Sequence, residues 1–217
     1  MIAIDGPAGA GKSAAARLLA ERLHLTYIDT GALYRSVALA ARRQGIDLDD
    51  EPALGRLSRE LHIAFEAAAD GGQRVIMEGE DVTKAIRTPV VSEGSSRVSR
   101  HPAVRRALLD VQRRLAKGGG AVMEGRDIGT VVLPDADLKV FLTASAEARA
   151  QRRHKELLEK GVSVTLEQVL EEQKKRDERD RSRPASPLKP ADDAVILDTS
   201  ELSLEQVLEA LVRLANS

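Results

Sequence analysis

Gly6, Gly11, Lys12 and Ser13, within the stretch GPAGAGKS, have the order and spacing of a phosphate-binding loop. Glycines reach backbone angles that other residues resist, so a loop of Gly6, Pro7, Ala8, Gly9, Ala10 and Gly11 can turn N–H groups inward around phosphate oxygens. A helix starting near Lys12 would add the positive end of its dipole. Lys12 would reach the β- and γ-phosphates, and the Ser13 hydroxyl would bind Mg²⁺. A chance glycine-rich turn is the competing explanation. It is disfavoured because the motif falls between an apolar run, Ile2 to Asp5, and an Ala- and Leu-rich helix, Ser13 to Leu23. An Mg-nucleotide site is therefore expected, but the loop does not say where the last phosphate goes.

A hydrolase would position a water, whereas a kinase needs a second pocket. An anionic acceptor calls for several arginines, whose planar forks grip phosphate bidentately. Arg35 follows DTGALY and Arg126 follows MEG, both just past predicted strand ends. That edge of an open parallel sheet is where ligands bind. Arg176, Arg179, Arg181 and Arg183 crowd RDERDRSR, although Asp177, Glu178 and Asp180 could pair with them on a solvated helix face.

These residues must be positioned by a frame. Ile2–Asp5, Leu25–Asp29, Ala121–Gly125, Leu138–Ala144 and Ala194–Ser200 read as strands, alternating with helices over Ser13–Leu23 and Ala32–Gly45 and later stretches. That alternation predicts a parallel α/β sheet. LHIAFE (61–66), GG at 71–72 and RVIMEG (74–79) instead predict a hairpin, so Asp49 to about Arg100 reads as an inserted lobe containing a Ser-rich stretch. A long amphipathic helix from Pro102 should end at GGG, 118–120. Ser145 is a candidate N-cap of one charged helix, Thr165 stands at the start of another, and SLEQVLEALVRLA reads as the last helix.

The 217 residues suffice for one core with an inserted lobe. Lys and Arg total 33 against 34 Asp and Glu, a balance that argues against a general nucleic-acid or membrane-surface role. The chain has no Cys, which excludes disulfides and thiolate metal sites, and only 2% aromatic residues, which disfavours base-stacking platforms. No apolar run approaches the ~20 residues of a membrane span. No signal peptide is visible, and a cytoplasmic location is the expectation.

IDGPAGAGKS, DTGALYR (29–35), GEDVTKAIRTP (79–89), EGRDIGTVVLPDADLKVFL (124–142) and KKRDERDRSRPASPL (174–188) together resemble bacterial cytidylate kinase, in order and over essentially the whole chain. The loop is shared by many families, whereas the 124–142 and 174–188 blocks are far more discriminating. The resemblance implies an α/β, three-layer P-loop NTPase fold. It has a parallel five-stranded core sheet, an inserted NMP-binding lobe with antiparallel strands, and a helical LID. One kinase domain would span 1–217, with core about 1–48, 101–150 and 184–217, insertion about 49–100 and LID about 151–183. It implies transfer of the ATP γ-phosphoryl group to CMP or dCMP with Mg²⁺, by a monomer. Thr30 and Tyr34 would line the CMP site and Arg35 would hold the CMP phosphate. Ser96 and Arg105 would face cytosine, with Arg126 on the acceptor phosphate and Asp127 on the base edge. Arg176 would bridge both phosphates, Asp180 and Arg183 would reach the ribose, and Arg152 and Arg153 would lie near ATP. Lys12, Arg126 and Arg176 would be catalytic. Residue 124 is Glu where some relatives carry Asp, and its role stays open.

The charged region 145–183 suits a lid held open by its own unpaired arginine charge. Another monophosphate kinase, for UMP or AMP, and a non-catalytic ATP-binding regulator remain alternatives. A nucleotide panel separates the first; the intact Lys12, Ser13 and arginine set speak against the second. A GTPase switch is disfavoured because no N-K-x-D motif follows a strand.

Overall fold

The computed structural model describes residues 1–68, 72–118 and 120–216. Gly71 of the expected hairpin turn and Gly119 of the expected helix stop lie outside the described residues. A five-stranded parallel sheet forms the centre. Its strands are β1 (Ile2–Asp5), β2 (Thr26–Asp29), β6 (Ala121–Glu124), β7 (Leu138–Thr143) and β8 (Val195–Asp198), in the order β2-β6-β1-β7-β8. The flanking helices are α1 (Lys12–Arg22), α2 (Thr30–Arg43), α5 (Pro102–Ala116) and α8 (Leu204–Ala215).

Side chains alternate across the strands and so build three layers. Ile2, Ile4, Val122, Val140 and Leu142 pack with Leu19 of α1 and Val207 and Leu211 of α8. Ala3, Ile28 and Met123 face the other way, against Ala116 of α5 and Ile128 and Val132. The central strands β1 and β6 are buried at every residue, which is why they read as short continuous apolar runs.

The middle of the chain holds α3 (Glu51–Glu60), β3 (Ile63–Ala67), β4 (Gln73–Met77), β5 (Glu80–Asp81), a 3₁₀ turn (Ala85–Arg87) and α4 (Pro89–Val98). The expected hairpin pairs antiparallel with Phe65 opposite Val75, and β5 adds a third strand. The Ser-rich stretch is helical, a point its composition hid. Thr88 caps it, its hydroxyl accepting from the Val91 N–H at 3.4 Å, and Pro89 supplies a preset first turn. Leu54, Val75, Met77, Val82, Ile86 and Val91 share a core with Leu33 and Val37 of α2.

The last insertion pairs α6 (Ala146–Glu159) with α7 (Leu166–Ser182) over Ala150, Leu157 and Val169. Ser145 caps the first as expected, and Thr165 caps the second within a capping box with Gln168. A buried ion pair locks the two helices: Arg149 Nη2 lies 2.7 Å from an Asp177 carboxylate oxygen, with the residues only 4% and 5% exposed. Arg149 also donates to Ala144 O at 3.0 Å and Ala8 O at 3.1 Å, so it ties the helix pair to the phosphate loop. Replacing Arg149 with Met should cost about 3–5 kcal/mol, because Asp177 is left as an unpaired buried charge. Chemical denaturation checks this, and Arg149→Met with Asp177→Leu should recover most of the loss. Among the described residues no helix is long and apolar enough to cross a membrane.

Candidate active site

Three adjacent strands deliver acids to one edge of the sheet. Asp29 and Ile4 both stand opposite Glu124 in register, so Asp5, Asp29 and Glu124 end β1, β2 and β6 side by side. The chain leaves β1 through the phosphate loop. Gly6 has φ 143°, and a Cβ there would stand 2.0 Å from the Leu142 carbonyl oxygen, so only glycine fits. Gly11, at φ 85°, turns the loop into α1, whose first residue is Lys12. Lys12 is 5% exposed and its ammonium donates to Pro7 O at 2.7 Å. Burial, then the neighbouring Arg126, pull its pKa down to about 7 against the opposing pull of Glu124 and Asp5. A polyphosphate beside it would restore the positive charge.

Glu124 sits across from this lysine. The Tyr27 hydroxyl donates to Glu124 Oε1 at 2.6 Å, and the Thr30 hydroxyl donates to the Glu124 carbonyl at 2.7 Å. Burial and then the Asp29 charge raise the Glu124 carboxyl, while Lys12 and a hydrogen bond with Ser13 oppose the rise. Ser13, Asp29 and Glu124 thus form an oxygen-only set, which suits a hard cation such as Mg²⁺. Among the described residues no three His, Cys, Asp or Glu gather as a ready metal cage, so substrate phosphates would supply most ligands.

The arginines converge beyond the loop. Asp29 caps α2 and also receives Arg35 Nη2 at 2.6 Å. Arg126 Nε donates to Asp180 at 3.1 Å, and Arg176 lies near enough to Arg126 and Arg35 to feel both. Burial and those two cations lower Arg176 to about 10, against the pull of Asp180 and Glu93. The buried Nε atoms of Arg176 and Arg35 have no hydrogen-bond partner among the described residues. Further along, Arg105 pairs with Asp127, Arg183 stands 3.8 Å from Asp127, and the Arg105 guanidinium lies 5.4 Å from the Tyr34 ring centre.

One cavity of about 400 Å³ joins both groups. Of the expected residues it is lined by Ala8, Gly9, Gly11, Lys12, Ser13, Thr30, Tyr34, Arg35, Arg105, Arg126, Asp127, Arg152, Arg153, Arg176, Asp180 and Arg183. Gly6, Pro7, Ala10 and Ser96 are outside that lining; the buried Ser96 hydroxyl has no hydrogen-bond partner among the described residues. Ser92, Ser95, Ser99, Glu156 and Lys160 line it and were not singled out from sequence. Their helical spacing of three and four was the available signal.

Several arginines of residues 145–183 are paired where the sequence reading expected unpaired charge. Arg149 pairs with Asp177, Arg153 with Glu156 at 2.8 Å, and Arg179 grips Glu93 of α4 through both nitrogens at 2.6 and 3.0 Å. Arg152 donates to the Thr199 hydroxyl at 3.1 Å. These contacts account for Arg149, Arg152, Arg153 and Arg179, whereas the Nε of Arg176 has no hydrogen-bond partner among the described residues. Two of the acids interleaved in RDERDRSR, Asp177 and Asp180, look across to other elements, because they share the buried face of α7 with Val169 and Gln173, whereas Glu178 is exposed.

A strand–loop–helix phosphate cradle facing an arginine-walled anion pocket, on a parallel sheet, defines a P-loop phosphotransferase. The family model described as Cytidylate kinase matches residues 2–217. A curated Cytidylate kinase of Pelotomaculum thermopropionicum is 54% identical over 211 residues, covering 97% of this chain and 93% of that protein. Its counterpart in Pseudomonas aeruginosa strain LESB58 is 54% identical over 215 residues, covering 98% and 93%. A crystal structure of an uncharacterized protein from Eubacterium ventriosum shares the fold, with TM-score 0.54 at 11% identity over 100% of this chain and 98% of that one. The chain belongs to the cytidylate kinase family. It is an enzyme, a kinase that transfers the γ-phosphoryl group of ATP to CMP or dCMP.

Proposed function

We infer that the phosphate loop and Lys12 hold ATP while Arg35, Arg126 and Arg176 hold the CMP phosphate in line with it. The observation that carries this reading is the joining of both groups in one cavity, with three arginines clustered opposite Lys12 and an Arg105–Asp127 edge beyond them. Such a transfer needs positioning and charge neutralisation rather than covalent help. The acceptor phosphate is already an anionic nucleophile, so no general base is required. Mg²⁺ would be held near Ser13, with Glu124 and Asp29 beside it, and would offset phosphate charge. Tyr27 keeps Glu124 aimed at that place. Arg152 and Arg153 would lie against ATP, and Asp180 and Arg183 against the CMP ribose. Thr30, Tyr34 and Ser96 would complete the acceptor wall.

In this reading residues 49–100 are the acceptor-binding insertion and 151–183 the LID. The bidentate Arg179–Glu93 contact would couple their closure and keep water from the donor phosphate. The enzyme would work as a cytoplasmic monomer on free nucleotides, without a nucleic acid polymer or a membrane; the balance of 33 basic against 34 acidic side chains supports this.

Asp127 would accept from the cytosine amino group and Arg105 would donate to the cytosine carbonyl. Uracil inverts the first of these polarities and would leave a buried group unpaired. ADP release measured over CMP, dCMP, UMP and AMP should favour the cytidine nucleotides. Asp127→Ala should lower kcat/KM for CMP about 10- to 100-fold and for UMP by far less. Equal losses for both nucleotides would overturn the base-edge assignment.

A further inference from the structure

The buried carboxylate of Asp5 has no part in the mechanism above, yet both its oxygens are used. The Ile128 N–H donates to Oδ1 at 2.8 Å and the Gly129 N–H donates to Oδ2 at 2.8 Å. Those amides open a π-helical turn, Ile128–Val132, directly after Arg126 and Asp127. On its other side Asp5 is the residue before Gly6, where the phosphate loop starts. A single side chain thus spans from the strand end that launches the donor cradle to the turn that carries the acceptor-side pair. A turn of this kind could be capped locally by its own preceding residue, but Asp127 makes no capping bond here and turns to Arg105 instead. The cap has been supplied from another strand, and the side chain at 127 is left free for the cavity.

We propose that Asp5 is a positioning residue that fixes the acceptor-binding Arg126–Asp127 segment in register with the phosphate loop. The inference rests on the acceptor roles given above to Arg126 and Asp127.

The environment fits a group kept for positioning at some expense to stability. Asp5 is 5% exposed, and burial raises its carboxyl to about 6, with Asp127 pushing the same way and the two amides and Lys12 opposing. Lys139 on β7 is engaged by Asp193 at 2.7 Å. Because the folded-state pKa lies above the ordinary 3.8, the stability Asp5 contributes is present below that pH and lost as pH rises through about 6. At pH 8 the folded protein therefore carries a buried charge that the unfolded chain holds in water.

The test compares Asp5→Asn with Arg126→Lys at pH 8. An amide side chain keeps one acceptor and sets an NH₂ group against the second N–H, which displaces the turn. For Asp5→Asn, KM for CMP should rise about 10-fold and kcat fall about 100-fold, the scale of an ångström-sized misplacement. KM for ATP should stay within about 3-fold, and the melting temperature should not fall. Unchanged CMP kinetics would overturn the inference, as would equal losses for both nucleotides with a lower melting temperature. If Arg126→Lys leaves KM for CMP unaltered, the acceptor-site reading fails and the inference falls with it. If Arg126→Lys weakens CMP and Asp5→Asn does not, only the role of Asp5 is refuted. Should Asp5→Asn not fold, NMR of the nucleotide-free wild type decides. The Ile128 and Gly129 amide signals and the Arg126 Nε–H signal should move together with a midpoint near 6. An Arg126 signal that stays still while the amides move overturns the proposal.

Discussion

Lys12→Met is expected to lower kcat about 10³-fold or more while leaving the nucleotide-free protein at least as stable at pH 8. The two halves of that expectation have one cause. Lys12 is buried beside Arg126 and Arg176, and its folded-state pKa is lowered from 10.5 to about 7. A depressed pKa means that the stability it contributes is full above pH 10.5 and is lost as pH falls through about 7. Near neutrality the ammonium is therefore a burden on the empty protein. Methionine removes that burden and keeps most of the volume, losing only the bond to Pro7 O. In the loaded enzyme the burden would become the useful term, since phosphates held there would gain a nearly dry cation. Steady-state kinetics with thermal melting check both halves. Near-normal turnover in Lys12→Met would remove the loop from the mechanism.

Arg176→Gln is expected to have a comparable effect, about 10³-fold in kcat, the scale found for arginines that stabilise a phosphoryl transition state. Arg176 is held among like charges. Arg126 and Arg35 press on it, Asp180 and Glu93 offset them in part, and its Nε has no partner among the described residues. Two anions meeting in the cavity would need that density of positive charge most as the phosphoryl group passes between them. Glutamine fills the space without the charge, so KM for ATP should change far less than kcat. The nucleotide-free variant should melt no lower than the wild type, because a mutual repulsion has gone. A variant with normal kcat and a raised KM for CMP would show that Arg176 only binds the acceptor.

Much of this site was legible in the chain because it is built from local grammar. GPAGAGKS carries its own backbone requirements, and the 2.0 Å approach at Gly6 shows why the first glycine is needed. DTGALYR is a strand end, a cap and a helix in seven residues, so Arg35 could be placed from sequence alone. The Ser145 cap was readable for the same reason. Partnerships made across the fold were not. Arg149 falls in a stretch that reads only as a charged helix, yet it is buried against Asp177 and the loop. The Ser-rich stretch 92–99 offered no apolar period strong enough to mark a helix, because small side chains pack closely without announcing a face. Tyr27 and Glu124 lie 97 residues apart and meet only because β2 and β6 are neighbours in register.

The sequence by itself determined the strand–loop–helix turn at residues 6–13, since its form depends on backbone angles and spacing within eight consecutive residues. It also supplied the cavity's arginines as a list. Tertiary structure decided which of them act together and in what electrical state. Arg179 was committed to Glu93 and Arg149 to Asp177, while Arg126, itself paired with Asp180, and Arg176 were drawn to one wall of the cavity beside Lys12. The reason is physical: charge state and partner follow from desolvation and from distances between strand ends, and neither exists until the sheet has closed.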